Sequence, residues 1–445
     1  MNAKLNFTIP TLGPAKVPSP IKMSKIQGDR LVNYITDDDT YIYDLIARPG
    51  DPRKSYRREE MMEKAGPREM LYFSPGHVHA GIITCGGLCP GLNNVIRAIV
   101  RALWYLYGVK RITGIRYGYR GFLPEYNLPT VELNPQQVEV IHEMGGTILG
   151  SSRGGSDTEA IADSIERMNI NILFTIGGDG TTKGALAIAA ALEERKYKCA
   201  IVGVPKTIDN DLSFIQKSFG FETAVTLAVH AVQSAYVEAR DALNGIGLVK
   251  LMGRESGFIA AHTALAMPAV NFCLIPEIPF DLEGPKGLIA AIEKRLGENK
   301  SVVIVAAEGA GQEHLNANTE KDLSGNKKLS DIGQFLNVKL QEYFKKKNIE
   351  ISIKYIDPSY MIRSAPAAAT DSIYCLRLGT NAVHAAMAGK TKVLMSQLND
   401  QYVHIPMELA VARRNYVDPE SSLWSTVLEA TRQPETMKND PPAAP

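Results

Sequence analysis

The sequence predicts an α/β fold: two doubly wound, Rossmann-like lobes with mostly parallel sheets, preceded by an N-terminal extension. Three features carry this expectation. Short apolar runs rich in β-branched residues end in Gly or Pro, each run leads into an amphipathic helical stretch, and the alternation begins only at His79 and occurs in two successive series.

Residues 1–75 stand apart, with prolines at 10, 14, 18 and 20, an acidic TDDDTYIYD patch and a basic PRKSYRREEMMEKAGPRE stretch. They read as an arm that packs on the catalytic body or on a neighbouring subunit, or as a partly solvated charged face. The first series then pairs HAGIITC with NNVIRAIVRALWYLYG, NILFTIG with TTKGALAIAAALEER, and CAIVGV with ETAVTLAVHAVQSAYVEAR. A second series follows: GIGLVKL, NFCLIP, a helix near GLIAAIEKRL, SVVIVAAEG, a helix near IGQFLNVKLQEYF, and ISIKYIDP. The expected division is a first lobe at 76–222 completed by 362–400, a second lobe at 223–361 completed by 401–435, and a frayed tail at 436–445. No fixed-period repeat interrupts this pattern.

At 445 residues, with 45% hydrophobic and 22% charged residues, the chain is long enough for two cores. The net charge of +1, from 49 Lys+Arg against 48 Asp+Glu, argues against nucleic acid as a partner while leaving room for a local basic pocket. Cys85, Cys89, Cys199, Cys273 and Cys375 sit mostly in apolar runs and read as small buried hydrophobes of a reducing compartment. Cys85 and Cys89 lack the second pair that a structural zinc needs, and His77 with His79 lacks a third ligand. The start shows no signal-peptide core, no run is long enough to span a membrane, and the PPAAP end is not a peroxisomal tripeptide. A cytoplasmic protein is expected.

In such folds ligands bind beyond the carboxyl ends of the strands, and the polar motifs lie there. The turn Gly86, Gly87, Leu88, Cys89, Pro90, Gly91 follows the strand GIITC; its glycines allow a phosphate to approach the backbone, or serve only the sterics of a strand-to-helix turn. In GGDGT, Gly177–Thr181, Asp179 is either a cap in a tight turn or a carboxylate for hydrated magnesium, and Gly178 and Gly180 leave room for a phosphate chain. PKTIDND, Pro205–Asp211, places two carboxylates and further polar side chains after CAIVGV, a set costly to bury without a ligand or a dense turn. One carboxylate there can deprotonate a hydroxyl while its neighbours organise metal waters and phosphate oxygens. Arg153 in SSRGG and Arg254 in MGRESG sit in glycine-flanked turns where a guanidinium can fork onto phosphate. Glu308 ends the strand SVVIVAA and can accept hydrogen bonds from sugar hydroxyls.

Taken together, GGLCPGLN, LGSSRGG, GGDGT, PKTIDND, LMGRESG, the glutamate of VAAEG and the YMIR segment resemble, in order, the motifs of the phosphofructokinase family over roughly residues 79–400. The long arm and the motif wording are similar to the plant and trypanosomatid ATP-dependent branch. The resemblance implies a glycolytic, allosterically controlled, homo-oligomeric kinase (dimer or tetramer) acting on fructose 6-phosphate with ATP and magnesium. It implies that the first lobe binds the donor and the second the acceptor. It implies that Asp209 is the general base, within a substrate-binding Thr207, Ile208, Asp209. It places magnesium on Asp179, with Gly86, Arg153, Gly154, Gly178, Gly180 and Thr181 around the donor. It gives fructose 6-phosphate to Met252, Gly253, Arg254, Glu308, Tyr360, Met361, Ile362 and Arg363, and makes Asp209, Arg254 and Gly180 the catalytic set.

The sequence departs from the short bacterial enzymes at Tyr360, Lys354 and Gly245, where it resembles the pyrophosphate-using branch, and Lys250 or Lys354 becomes a candidate anchor for the sugar phosphate. Donor choice rests on Gly180 and Lys206. Pyrophosphate enzymes of the family carry a second aspartate at the position of Gly180, whose bulk and charge oppose the α-phosphate of ATP; they also carry the lysine seen here as Lys206. A carboxylate there vetoes ATP whereas a lysine only adds attraction, so ATP is the expected donor. A reversible pyrophosphate-dependent enzyme is the alternative, followed by a silent regulatory subunit, which retention of Asp179 and Asp209 disfavours. A nicotinamide oxidoreductase is disfavoured because the first turn lacks GxGxxG.

Overall fold

The computed structural model describes residues 5–26, 28–43, 56–154, 157–315 and 328–440. The PPAAP end, Gly155 of LGSSRGG, the first four residues and the PRKS start of the basic stretch lie outside the described residues. The chain divides into two compact units. One comprises Met1–Ile208, Leu212–Gly220 and Ser364–Arg414, the other Asp209–Asp211, Phe221–Arg363 and Asn415–Pro445.

The first unit is built on a seven-stranded sheet in the order Gln401–Pro406, Val393–Leu398, Ala200–Pro205, Ile172–Gly177, His79–Thr84, Arg111–Ile115, Val131–Glu132. The five inner strands run parallel, and the two outermost pair antiparallel. His79–Thr84, Ile172–Gly177 and Ala200–Pro205 are buried at every residue, as strands covered by helices on both faces must be. The chain goes from His79–Thr84 to one side first and then to the other, so the strand order reverses there.

The helix Leu92–Arg101 follows the first turn and widens into a π-helical stretch, Ala102–Tyr107, that ends at Gly108 with φ 74°. It packs along Ala369–Met387, a helix absent from the sequence reading. A Cβ on Gly379 would lie 2.7 Å from the Ala98 Cβ, so these helices approach as closely as they do because one residue has no side chain.

The second unit holds a wholly parallel sheet in the order Phe272–Leu274, Ser301–Ala307, Gly245–Leu251, Ser352–Ile356. Its core gathers Ile246, Leu248, Phe272, Leu274, Ile304, Leu336 and Phe344, from the strands and from the helix Ile332–Lys346.

Two sequence expectations change. Residues 401–414, assigned above to the second lobe, belong to the first unit: Gln401–Pro406 folds back on Val393–Leu398 through Asn399 and Asp400, whose φ values of 47° and 62° suit a two-residue primed hairpin turn. The segment 436–440 is docked, not frayed: Met437 is buried, its carbonyl accepts from Asp281 N–H at 2.8 Å, and Asn439 N–H donates to Asp281 Oδ2 at 2.7 Å.

The N-terminal arm joins the first unit through backbone pairing and a buried ionic cluster. Leu12 N–H donates to the Gly389 carbonyl at 2.9 Å and Ala65 N–H to the Tyr402 carbonyl at 2.8 Å. Beneath them Glu63 meets Arg68 at 2.7 Å, Lys390 at 3.1 Å and His404 Nδ1 at 2.9 Å, all four side chains buried. Burial alone pushes the Glu63 carboxyl up, but His404, Lys390 and Arg68 together hold it well below the usual carboxylate range.

Candidate active site

Three neighbouring strands of the first unit end in polar turns that are fastened to one another. Cys85 N–H donates to the Ile176 carbonyl at 3.0 Å, Gly86 N–H to Ser152 at 3.0 Å and Lys206 N–H to Gly177 at 2.9 Å. Ser151 Oγ donates to the Gly86 carbonyl at 2.6 Å, and Lys206 Nζ to the Gly87 carbonyl at 2.7 Å. Gly86 has φ 86°, a conformation that favours glycine, and a Cβ there would sit 3.0 Å from Lys206 Nζ and press on that side chain. Gly154, with φ 110°, follows Arg153, whose carbonyl accepts from Arg120 Nη2 at 3.1 Å.

The helix after Ile172–Gly177 starts at Asp179, two residues earlier than its apolar pattern, and Gly178 is the N-cap. Asp179, Gly180 and Thr181 therefore form its first turn, where N–H groups lack intrahelical partners and the dipole favours anions. Thr181 fills the space that a Cβ on Gly177 would need, and Tyr119 Oη donates to its carbonyl at 2.6 Å. A Cβ on Gly180 would meet nothing within 4 Å. Asp179 Oδ2 accepts from Lys183 Nζ at 2.9 Å, one turn on. Its oxygen thus already takes a cation, and Lys183, with 59% of its side chain exposed, is free to move away. No group of three or more His, Cys, Asp or Glu able to hold a metal occurs among the described residues.

The second unit presents its own set at the carboxyl ends of its strands. Gly245–Leu251 leads into Met252, Gly253 and Arg254, and Ser301–Ala307 into Glu308. The two turns are zipped: Glu308 N–H donates to Leu251 at 2.8 Å and Gly309 N–H to Gly253 at 3.0 Å. A Cβ on Gly309 would fall 1.9 Å from the Arg254 carbonyl, and Gly253 has φ 131°. Burial pushes the Glu308 carboxyl up, and the charges of Arg254, Lys250 and Arg363 offset part of that rise. Ser256 Oγ donates to the Asp209 carbonyl at 3.1 Å, tying the middle of PKTIDND to MGRESG.

A sequence profile described as Phosphofructokinase matches residues 79–386. The chain belongs to the phosphofructokinase family. The ATP-dependent 6-phosphofructokinase of Borreliella burgdorferi is 54% identical over 446 residues, covering 98% of this chain and 99% of that one. ATP-dependent 6-phosphofructokinase 1 of Arabidopsis thaliana is 47% identical over 426 residues, covering 95% and 88%. The crystal structure of a pyrophosphate-dependent phosphofructokinase from Marinobacter aquaeolei superposes with a TM-score of 0.65 at 19% identity, over 80% of this chain and 91% of that one, a likeness of fold alone.

Of the residues that resemblance to phosphofructokinases singled out, Gly86, Arg153, Gly154, Gly178, Asp179, Gly180, Thr181, Lys206, Thr207 and Ile208 lie in the first unit. Asp209, Met252, Gly253, Arg254, Glu308, Tyr360, Met361, Ile362 and Arg363 lie in the second. Ile362 is buried and anchors the turn of the YMIR segment, so its side chain is not presented to a ligand. Tyr360 and Met361 are exposed, and the Arg363 guanidinium lies 5.0 Å from the Tyr360 ring. Lys354 is half exposed, with Glu238 at 3.7 Å.

Glu277 escaped the sequence reading. It follows Phe272–Leu274, and its Oε1 accepts Gly257 N–H at 2.9 Å and Val417 N–H at 2.8 Å, which fixes the end of MGRESG. The rule that found Glu308, a carboxylate just beyond a strand's carboxyl end, applies equally to NFCLIPE.

Proposed function

We propose that this phosphofructokinase transfers the γ-phosphoryl group of ATP to the 1-hydroxyl of fructose 6-phosphate, in the cytoplasm and as a homo-oligomer. The observation that carries the reading is the end-to-end match to relatives named ATP-dependent 6-phosphofructokinase, 54% identical over 98% of the chain in one case. The local chemistry agrees with it. Asp209 takes the proton of the sugar hydroxyl as its oxygen bonds to the γ-phosphorus, while the bond from that phosphorus to the bridging oxygen breaks and ADP leaves. Arg254 stabilises the charge in transit, and the turns at Gly86, Arg153–Gly154 and Gly178–Thr181 receive the donor phosphates. Thr207 and Ile208 lead into the base, and Met252, Gly253, Glu308, Tyr360, Met361 and Arg363 hold the sugar phosphate, with Ile362 beneath them. Magnesium, held through Asp179, neutralises phosphate charge when bound. Gly180 leaves room for a third phosphate. Lys206 contributes first by holding Gly87.

The test is product analysis. Purified protein with fructose 6-phosphate, ATP and magnesium is expected to form fructose 1,6-bisphosphate and ADP in equal amounts. Absence of the bisphosphate from well-folded protein with either ATP or pyrophosphate would overturn the reading. The mass of the same sample by light scattering decides the assembly, and a monomer would contradict it.

A further inference from the structure

Lys250, a candidate anchor for the sugar phosphate, already has its charge engaged. Its Nζ lies 2.7 Å from Asp331 Oδ2 and 2.8 Å from Asp357 Oδ2, with 12% of its side chain exposed. Asp331 is the N-cap of Ile332–Lys346, accepting Gln334 N–H at 3.0 Å, and Tyr355 Oη donates to it at 3.0 Å. Asp357 opens the turn that carries Tyr360 and Arg363: its Oδ1 accepts Ser359 N–H at 3.1 Å and Ser359 Oγ at 2.6 Å. One ammonium between two carboxylates is net negative, which repels a phosphate. The same arrangement joins three pieces of the second unit: the strand that ends in Met252–Arg254, the helix start at Asp331, and the turn Ser359–Arg363.

We propose that Lys250 is a positioning residue, a clamp that draws Asp357 toward Asp331 and so fixes the Ser359–Arg363 turn in the place where Tyr360 and Arg363 meet the sugar phosphate. The proposal rests on the functional reading above and deepens it, since it assigns Lys250 to site geometry and removes it from phosphate contact. Among the described residues, the charges around this cluster include Arg254, Arg363, Glu308, Asp331 and Asp357, with the Tyr355 phenol. Removing the ammonium leaves two carboxylates that had shared one nitrogen, and their repulsion displaces the turn. Misplacement of binding groups by about 1 Å costs on the order of a hundredfold at most in such sites, so an effect of roughly tenfold is the expectation.

Lys250→Met is expected to raise the KM for fructose 6-phosphate about tenfold while leaving the KM for ATP within about twofold. Lys250→Arg, which keeps a cation able to bridge both carboxylates, is expected to restore most of that loss. Asp357→Asn keeps the Lys250–Asp331 pair and a hydrogen-bonding group, and serves if Lys250→Met does not fold. It is expected to raise the same KM severalfold with the melting temperature nearly unchanged. An unchanged KM for fructose 6-phosphate in both variants, or equal rises for both substrates, would overturn the clamp. So would a failure of Lys250→Arg to recover activity. A wild type without kinase activity would instead sink the functional reading, so the two failures are distinct.

Discussion

Asp209 is proposed as the general base, and on that proposal its replacement has a specific signature. Asp209→Asn keeps the shape but cannot take a proton, so kcat is expected to fall by about two to four orders of magnitude with the KM for fructose 6-phosphate nearly intact. Steady-state kinetics on the folded variant check this, and retained turnover would remove Asp209 from the mechanism. Gly180 offers a second residue-level test. Because a Cβ there meets nothing within 4 Å, Gly180→Asp begins its side chain in open space, and its main effect is expected to come through the donor. Carboxylate against α-phosphate is expected to lower kcat/KM for ATP by about a hundredfold or more, with the melting temperature changed by no more than a few degrees. Normal use of ATP by this variant would contradict the role given to Gly180.

At the scale of elements, the arm is held to the first unit by a cluster that loses much if one charge is removed. Lys390→Met leaves the buried Glu63, and the largely exposed Asp37, short of a cation, and is expected to destabilise the protein by about 3 kcal/mol in urea unfolding, most of it through Glu63. Limited proteolysis is expected to cut the arm first, and an unchanged urea midpoint would show that Lys390 carries little. The sequence showed the strands and their polar ends because a parallel, doubly covered strand is apolar throughout and stops abruptly at Gly, Pro or a charge. It hid the hairpin at 393–406, since Asn399–Asp400 is a primed-turn pair without the glycine that usually marks one. It hid the helix Ala369–Met387 because the exposed Ile373 and Leu376 blur its apolar stripe while the polar Asp371 and His384 are buried in it, His384 with a hydrogen bond between its Nδ1 and Tyr107 Oη at 2.8 Å. Lys206 and Lys250 were legible as charges, but their partners are far apart in sequence, and only the fold shows both of them bonded within the protein.

At the scale of the whole molecule, buried histidines set an acid limit on stability. Burial lowers His384 to about 3, while the unfolded chain takes up that proton near 6.5. Unfolding therefore binds protons between those values, and stability is expected to fall as pH drops from about 6.5 toward 3. His404, also pushed down by burial, adds to the loss, and Glu63 adds below about 4.5, where its unfolded form protonates first. His384→Asn, which keeps a hydrogen-bonding partner for Tyr107 but does not titrate, is expected to flatten part of this limb in melts recorded from pH 7.5 to 4. An identical slope would assign the acid limit elsewhere. The central claim concerns the reaction itself, and one comparison bears on it directly: kcat/KM for fructose 6-phosphate phosphorylation by the wild-type protein with ATP and with pyrophosphate, at saturating magnesium. ATP is predicted to be the more efficient donor, because Gly180 sets no carboxylate against its α-phosphate; equal or greater efficiency with pyrophosphate would contradict the account.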